Sequence, residues 1–189
     1  MLEIIIQGRG GQGAQTAGNL LAQAFFREGK EVQSVASYGG ARRGTPVTSM
    51  IRVDDKPIRL RCDVERADAI LCFDPTLLDA RLLARADRDT VILVNAGRAT
   101  WPNPGHRRIY PIEAVRISQE HNLGRVVNSA LLGAFCSLLG TPALETMCAT
   151  VFEYAPLKRD DNVAACRAGC EAADLRFIEG RALCERSAR

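Results

Sequence analysis

The chain opens on a nearly continuous apolar run from Leu2 to Ile6. Continuity without polar alternation predicts a strand over residues 2–7 covered on both faces. The period then changes. Ala17, Leu20, Leu21, Ala24 and Phe25 recur at helical spacing, which predicts a helix over about 12–28, closed by Gly29-Lys30. A second strand is expected over about 31–36. Val47 to Val53 alternates, breaks at Asp54-Asp55-Lys56 and resumes from Pro57 to Arg61, which reads as an antiparallel hairpin turning at Asp54-Asp55. Ala69–Phe73 and Thr90–Asn95 read as buried strands, with a helix over Thr76–Ala84 between them and a short strand near Arg107–Tyr110. Helices are expected over Ile112–His121 and Ser129–Leu139. Another opens at Pro142, where proline is tolerated in a first turn, and runs to about Phe152. A last one is capped by Asp160-Asp161-Asn162 and reaches about Ile178.

Strands alternate with helices early and helices dominate late. The expected fold is α/β: a three-layer α/β/α domain over residues 1–178 with a mainly parallel sheet plus an antiparallel hairpin, followed by a C-terminal tail over 179–189. Such sheets bind ligands at the carboxyl ends of their strands. There Gly8–Gly13, Ser37–Gly44 and Asp74–Thr76 would gather.

Composition narrows the function classes. The 189 residues are 47% hydrophobic and 25% charged, ordinary for a globular domain with a core of its own. No apolar run approaches the ~20 residues of a membrane span, and Met-Leu-Glu lacks the basic start of a signal peptide. A cytoplasmic location with no membrane partner is expected. A net charge of +3 without a basic stripe argues against nucleic acid. The seven cysteines include no C-x-x-C pair, which suits reduced thiols, and no metal site is expected. Cys166 and Cys170 stand one helical turn apart, where packing is the simpler role.

The candidate chemistry lies at Gly8-Arg9-Gly10-Gly11-Gln12-Gly13. A glycine turn between strand and helix presents backbone N–H groups to a phosphate. A dinucleotide-binding domain would place a carboxylate about 20 residues on. Here the second strand ends in Ser37-Tyr38-Gly39-Gly40, and Arg42-Arg43-Gly44 follows. NAD is therefore disfavoured, while NADP or another phosphate-bearing partner remains open. Arg9 and Gln12 are expected to point outward, to a phosphate, a carboxylate or a neighbouring subunit. Tyr38 would stack or hydrogen-bond at the same place, or shield the sheet edge. Trp101, in the Gly/Pro/Asn-rich loop 96–106, serves a surface connection or a subunit contact. No nucleophile, base and acid set is evident, and His106 and His121 read as surface residues. Asp74 is the best-placed acid, or else it caps the helix near Thr76; Glu3 and Asn95 show no partner. Asn128 is expected to cap the helix that follows it.

The glycine turn together with Tyr38-Gly39-Gly40-Ala41-Arg42-Arg43-Gly44-Thr45-Pro46-Val47 resembles the gamma subunit of 2-oxoacid:acceptor oxidoreductases. The similarity extends through Asp74-Pro75-Thr76-Leu77-Leu78, Val94-Asn95 and Asn128 to Ala134. The resemblance implies a subunit without catalysis of its own, in a complex that converts a 2-oxoacid and CoA to acyl-CoA, CO₂ and two electrons. It further implies alpha, beta and ferredoxin-like delta partners carrying thiamine diphosphate, magnesium and [4Fe-4S] clusters. Ferredoxin, or NAD through a flavoprotein subunit, would take the electrons. This chain would contribute CoA contact at Gly8, Arg9, Gly10, Gly11, Gln12, Gly13, Tyr38, Arg42 and Arg43. An aryl 2-oxoacid such as phenylglyoxylate, or a pyruvate-like one, would be the substrate. An NADP-binding oxidoreductase and a purely structural assembly subunit are the alternatives.

Overall fold

A computed structural model describes the backbone of residues 1–39, 44–97 and 108–187, and their side chains as far as residue 174. Arg42, Arg43, Trp101 and His106 lie outside the described residues. The elements are β1 (Leu2–Arg9), α1 (Ala14–Arg27), β2 (Glu31–Tyr38), β3 (Pro46–Asp54), β4 (Ala67–Cys72), a 3₁₀ turn (Pro75–Leu77), α2 (Ala80–Leu83), β5 (Ala86–Asn95), β6 (Ile109–Ile112), α3 (Ala114–Glu120), α4 (Asn128–Leu139), α5 (Leu144–Tyr154) and α6 (Arg159–Ser187).

The six strands form one sheet in the order β2-β3-β1-β4-β5-β6. The β1–β4, β4–β5 and β5–β6 pairs are parallel, while β3 runs antiparallel to both β1 and β2. The expected three-layer fold with a mixed sheet is therefore present, but its hairpin is β2–β3 rather than a pair turning at Asp54-Asp55. Tyr38 pairs with Val47 and Glu31 with Asp54, and residues 57–61 form no strand. Asp54 does make a turn, its Oδ1 accepting the N–H groups of Asp55 at 2.7 Å and Lys56 at 3.3 Å. The chain leaving that turn finds both edges of β3 occupied. It crosses the sheet face instead, held by side chains: Gln33 Nε2 donates to the Leu60 carbonyl at 2.8 Å, and Arg52 Nη1 to the Cys62 carbonyl at 2.8 Å.

Arg52 is only 5% exposed. Its Nε meets Glu3 Oε1 at 2.7 Å and its Nη1 meets Gln33 Oε1 at 3.1 Å. Arg52→Met is expected to destabilise the fold by about 3 kcal/mol, because Glu3 loses its cation and the Cys62 carbonyl its donor. Urea unfolding would read it, and a change under 1 kcal/mol would contradict the role of this side chain.

One sheet face carries α1 and α3–α6 over a large core that includes Ile4, Ile6, Leu21, Phe25, Leu131 and Phe135. Among the described residues, the other is covered by the 3₁₀ turn, α2 and the crossing segment, over Ile5, Met50, Ile70, Ile92 and Val94. Within the helical layer α4 and α6 touch backbone to backbone. A Cβ at Gly133 would lie 1.8 Å from the Cys166 carbonyl oxygen, and one at Gly169 2.0 Å from that of Ala130.

Two helix starts differ from expectation. Pro142 precedes α5 rather than opening it, with Ala143 as the N-cap residue. Lys158, at φ 52°, turns the chain into α6, so Asp160 and Asp161 stand inside the first turn, where their charge suits the helix dipole. Asn162 is buried, its Nδ2 donating to the Leu157 and Lys158 carbonyls and its Oδ1 accepting from Ser129 Oγ. The helix continues to Ser187, through most of the segment expected as a tail.

Candidate functional site

At the carboxyl edge of the sheet, β1 gives way to a tight corner ahead of α1. Gly11 and Gly13 take φ values of 94° and 87°, the left-handed region. The Asn128 side chain lies flat against Gly13, where a Cβ would sit 2.6 Å from its amide atoms. Only glycine meets both conditions. Asn128 is therefore the first residue of α4 and not its cap; Val127 holds the cap position. Its buried Oδ1 has no hydrogen-bond partner among the described residues.

The corner is fixed by polar ties. The Arg9 N–H donates to Gln12 Oε1 at 2.7 Å, and the Gln12 N–H to the Arg9 carbonyl at 2.9 Å. The loop after β2 is stitched on top: Gly10 N–H donates to the Thr45 carbonyl at 2.8 Å and Gly44 N–H to the Gly10 carbonyl at 3.1 Å. From the other side comes the segment after β4. Arg9 Nε donates to Asp74 Oδ2 at 2.8 Å, its Nη2 to Thr76 Oγ1 at 2.8 Å and its Nη1 to the Gly44 carbonyl at 3.3 Å. Asp74 Oδ2 also accepts from Gln12 Nε2 at 3.3 Å, and Oδ1 from Thr76 N–H at 3.0 Å and its hydroxyl at 2.6 Å.

These contacts correct the expectation for Arg9 and Gln12. Both fold inward and brace the corner, because Asp74 supplies a partly buried anion that they reach first. Asp74 is also the cap residue of the 3₁₀ turn. Burial pushes its carboxyl up, but the Thr76 hydroxyl and N–H, Arg9 and Gln12 outweigh that and hold it below the ordinary carboxylate value. The three segments expected to gather do so, as far as they are described. Tyr38 ends β2 half-exposed, its hydroxyl donating to Gln15 Oε1 on α1.

What the corner offers is donors. The N–H groups of Gly11 and Gly13 have no partner among the described residues. Helix α1 begins with neither a capping side chain nor an acid in its first turn, leaving its positive end open to an anion. The remaining candidates are engaged elsewhere. Glu3 pairs with Arg52, Asn95 Nδ2 donates to the Phe73 carbonyl at 3.2 Å, and His121 ends α3. Cys72, Cys136, Cys148 and Cys166 are buried and unpaired; burial pushes the Cys72 thiol up to about 12. Among the described residues no group of His, Cys, Asp and Glu could hold a metal ion, and no helix is long and apolar enough to cross a membrane.

The topology also bears on dinucleotides. In a Rossmann crevice the strand after the first helix lies beside the first strand. Here β3 intervenes, so β2 stands two strand spacings, about 10 Å, from β1.

Fold and corner together define an α/β subunit with an anion-receptive glycine turn and no catalytic set among its described residues. Residues 3–172 match the family described as pyruvate ferredoxin/flavodoxin oxidoreductase. The pyruvate synthase subunit PorC of Methanothermobacter marburgensis is 39% identical over 90% of this chain and 97% of its own. The common gamma subunit of the pyruvate/ketoisovalerate oxidoreductases of Thermococcus kodakarensis is 37% identical over 78% of this chain and 83% of its own. Among solved structures, the pyruvate oxidoreductase subunit PORC of Thermotoga maritima superposes with a TM-score of 0.78 at 29% identity, covering 90% of this chain and 96% of that one. The chain belongs to this family, as the gamma subunit of a 2-oxoacid:ferredoxin oxidoreductase complex.

The sequence pointed to the glycine corner but missed its brace. The available signal was Asp74-Pro75-Thr76 after a strand, a cap pattern whose carboxylate has a second oxygen to spare.

Proposed function

We propose that this subunit completes the CoA side of the active site in a complex that oxidatively decarboxylates a 2-oxoacid. The 2-oxoacid anion and CoA thiol give acyl-CoA, CO₂, one proton and two electrons. The observation that carries the reading is the braced glycine corner, with unpartnered N–H groups and an open helix end at the carboxyl edge of the sheet. CoA brings phosphates that suit it. Decarboxylation is the chemistry of thiamine diphosphate with magnesium, and the electrons leave through [4Fe-4S] clusters, all assigned to the alpha, beta and delta partners. This chain's part is to bind phosphate and orient the thiol end. Its relatives' names favour pyruvate or a branched-chain 2-oxoacid. Phenylglyoxylate rests on the sequence resemblance alone, as does delivery of electrons to ferredoxin or to a flavoprotein that reduces NAD.

Gly39 and Gly44 stand at this edge, and Arg42-Arg43 lies between them in the sequence. Arg42→Ala/Arg43→Ala in the intact complex is expected to raise the apparent KM for CoA roughly tenfold, with kcat and subunit composition kept. Loss of one charged hydrogen bond accounts for that size. An unchanged KM with full assembly would leave only the scaffold role.

A further inference from the structure

We propose that the uncovered face of β2 and β3 seats an acidic segment of a partner subunit. The inference rests on the chain working in a multi-subunit complex and is independent of the CoA reading. On the thinly covered side of the sheet, the crossing segment reaches β2 at Gln33, whose Nε2 donates to the Leu60 carbonyl, but leaves the later residues of β2 open. Val35, in the middle of β2, remains 50% exposed. Two cavities of about 570 and 320 Å³ lie on this face and share Met50 and Asp63, so they form one trough. Its floor is Val35, Ser37, Thr48 and Met50.

The charges on the trough are unbalanced. Arg61, Arg81 and Arg85 line it, and none of their side chains has an ion pair or hydrogen bond among the described residues. By contrast Arg9, Arg27, Arg52, Arg108, Arg116 and Arg167 each meet a carboxylate. Of the two carboxylates on the trough, Asp79 caps α2, its Oδ1 accepting the Leu82 N–H at 2.9 Å. The cap leaves Asp79 its charge, so with the paired Arg52 set aside the trough holds three guanidinium groups against two carboxylates, a net charge of +1. Among the described residues β2 pairs with β3 alone, so its outer edge has no strand beside it there, a feature that isolated chains usually blunt. Carboxylates match this surface: guanidinium groups recognise them by their planar fork, and the Ser37 and Thr48 hydroxyls beside Val35 suit a polar segment.

Arg81→Glu/Arg85→Glu is the test, made in the complex with its partner subunits. The expected result is a dissociation constant for the partner subunits raised roughly tenfold or more, with the salt dependence of assembly flattened. Arg81→Gln/Arg85→Gln should shift it in the same direction by less, and the unfolding transition of both variants should stay at the wild-type position. Amides of residues 31–38 should gain exchange protection on assembly. Arg88→Glu, an exposed reversal near the start of β5, serves as control. The proposal fails if the Arg81/Arg85 variants assemble like wild type at low and high salt. It also fails if Arg88→Glu weakens assembly equally, or if residues 31–38 exchange as fast in the complex as outside it. CoA KM in whatever fraction assembles should be unchanged, which separates this outcome from failure of the CoA reading.

Discussion

Gly133→Ala is expected to lower the melting temperature of the subunit by about 10 °C. Alanine is intrinsically the better helix residue by about 1 kcal/mol, so propensity alone would predict stabilisation. Sterics reverse the sign. The new Cβ would fall 1.8 Å from the Cys166 carbonyl oxygen, 2.6 Å from its carbon and 3.0 Å from its Cα. All three are backbone atoms of a long helix, so no rotamer change relieves them. The helices must separate, opening the seam that holds Phe135, Ala165 and Cys166. Overpacking typically costs about 1–3 kcal/mol and more where the neighbour cannot yield. At roughly 2–4 °C per kcal/mol for a chain of this length, about 3–4 kcal/mol gives the stated shift. Thermal unfolding followed by circular dichroism decides it. A melting point within 2 °C of wild type would mean that α4 and α6 are not in backbone contact.

Asp74→Ala is expected to cost about 2–3 kcal/mol and to loosen the glycine corner. It removes the acceptor for Arg9 Nε, Gln12 Nε2, and the Thr76 N–H and hydroxyl together. Arg9 is 36% exposed and Asp74 16%, so water recovers part of the loss and the figure stays below that of a fully buried pair. Asp74→Asn isolates the charge. Because the folded carboxyl lies below its ordinary value, it stabilises the fold fully above the unfolded value, near pH 4. That contribution disappears as the pH falls through the lower, folded value. Asp74→Asn should therefore be clearly less stable than wild type at pH 7, with the gap closing as the pH drops below about 4. Urea titrations across that range would show it. A gap that stays constant with pH would remove the charge from the explanation.

Elements whose partners lie close in sequence were legible, and features that needed distant partners were not. The apolar run of β1 and the spacing of Ala17, Leu21, Ala24 and Phe25 in α1 specify their elements locally, and these residues of α1 are all buried as the period requires. The turn at Asp54-Asp55 was also locally correct. What failed was the pairing beyond it, because β3 is an interior strand with β1 on one side and β2 on the other. The same holds at the site. Arg9 finds Asp74 65 positions away, and Asn128 meets Gly13 across a still longer stretch of chain. In each case the residue type announced polar chemistry while its partner was set by the order of strands. Asn128 illustrates the conflict: a good capping residue by type, it is used against a glycine that has no room for a side chain.

The backbone contact between α4 and α6 has a further consequence, for biosynthesis. Ala165, Cys166 and Ala173 are buried against a helix completed by residue 139. During translation at about 5–20 residues per second, β1 to β5 emerge several seconds before that seam can close. From the completion of α4 until then, the face of α4 around Ala130 and Gly133 that meets α6 has no helix against it, which makes the nascent subunit a natural client for a chaperone. Any premature stop ahead of residue 165 should yield an aggregation-prone fragment rather than a smaller working protein.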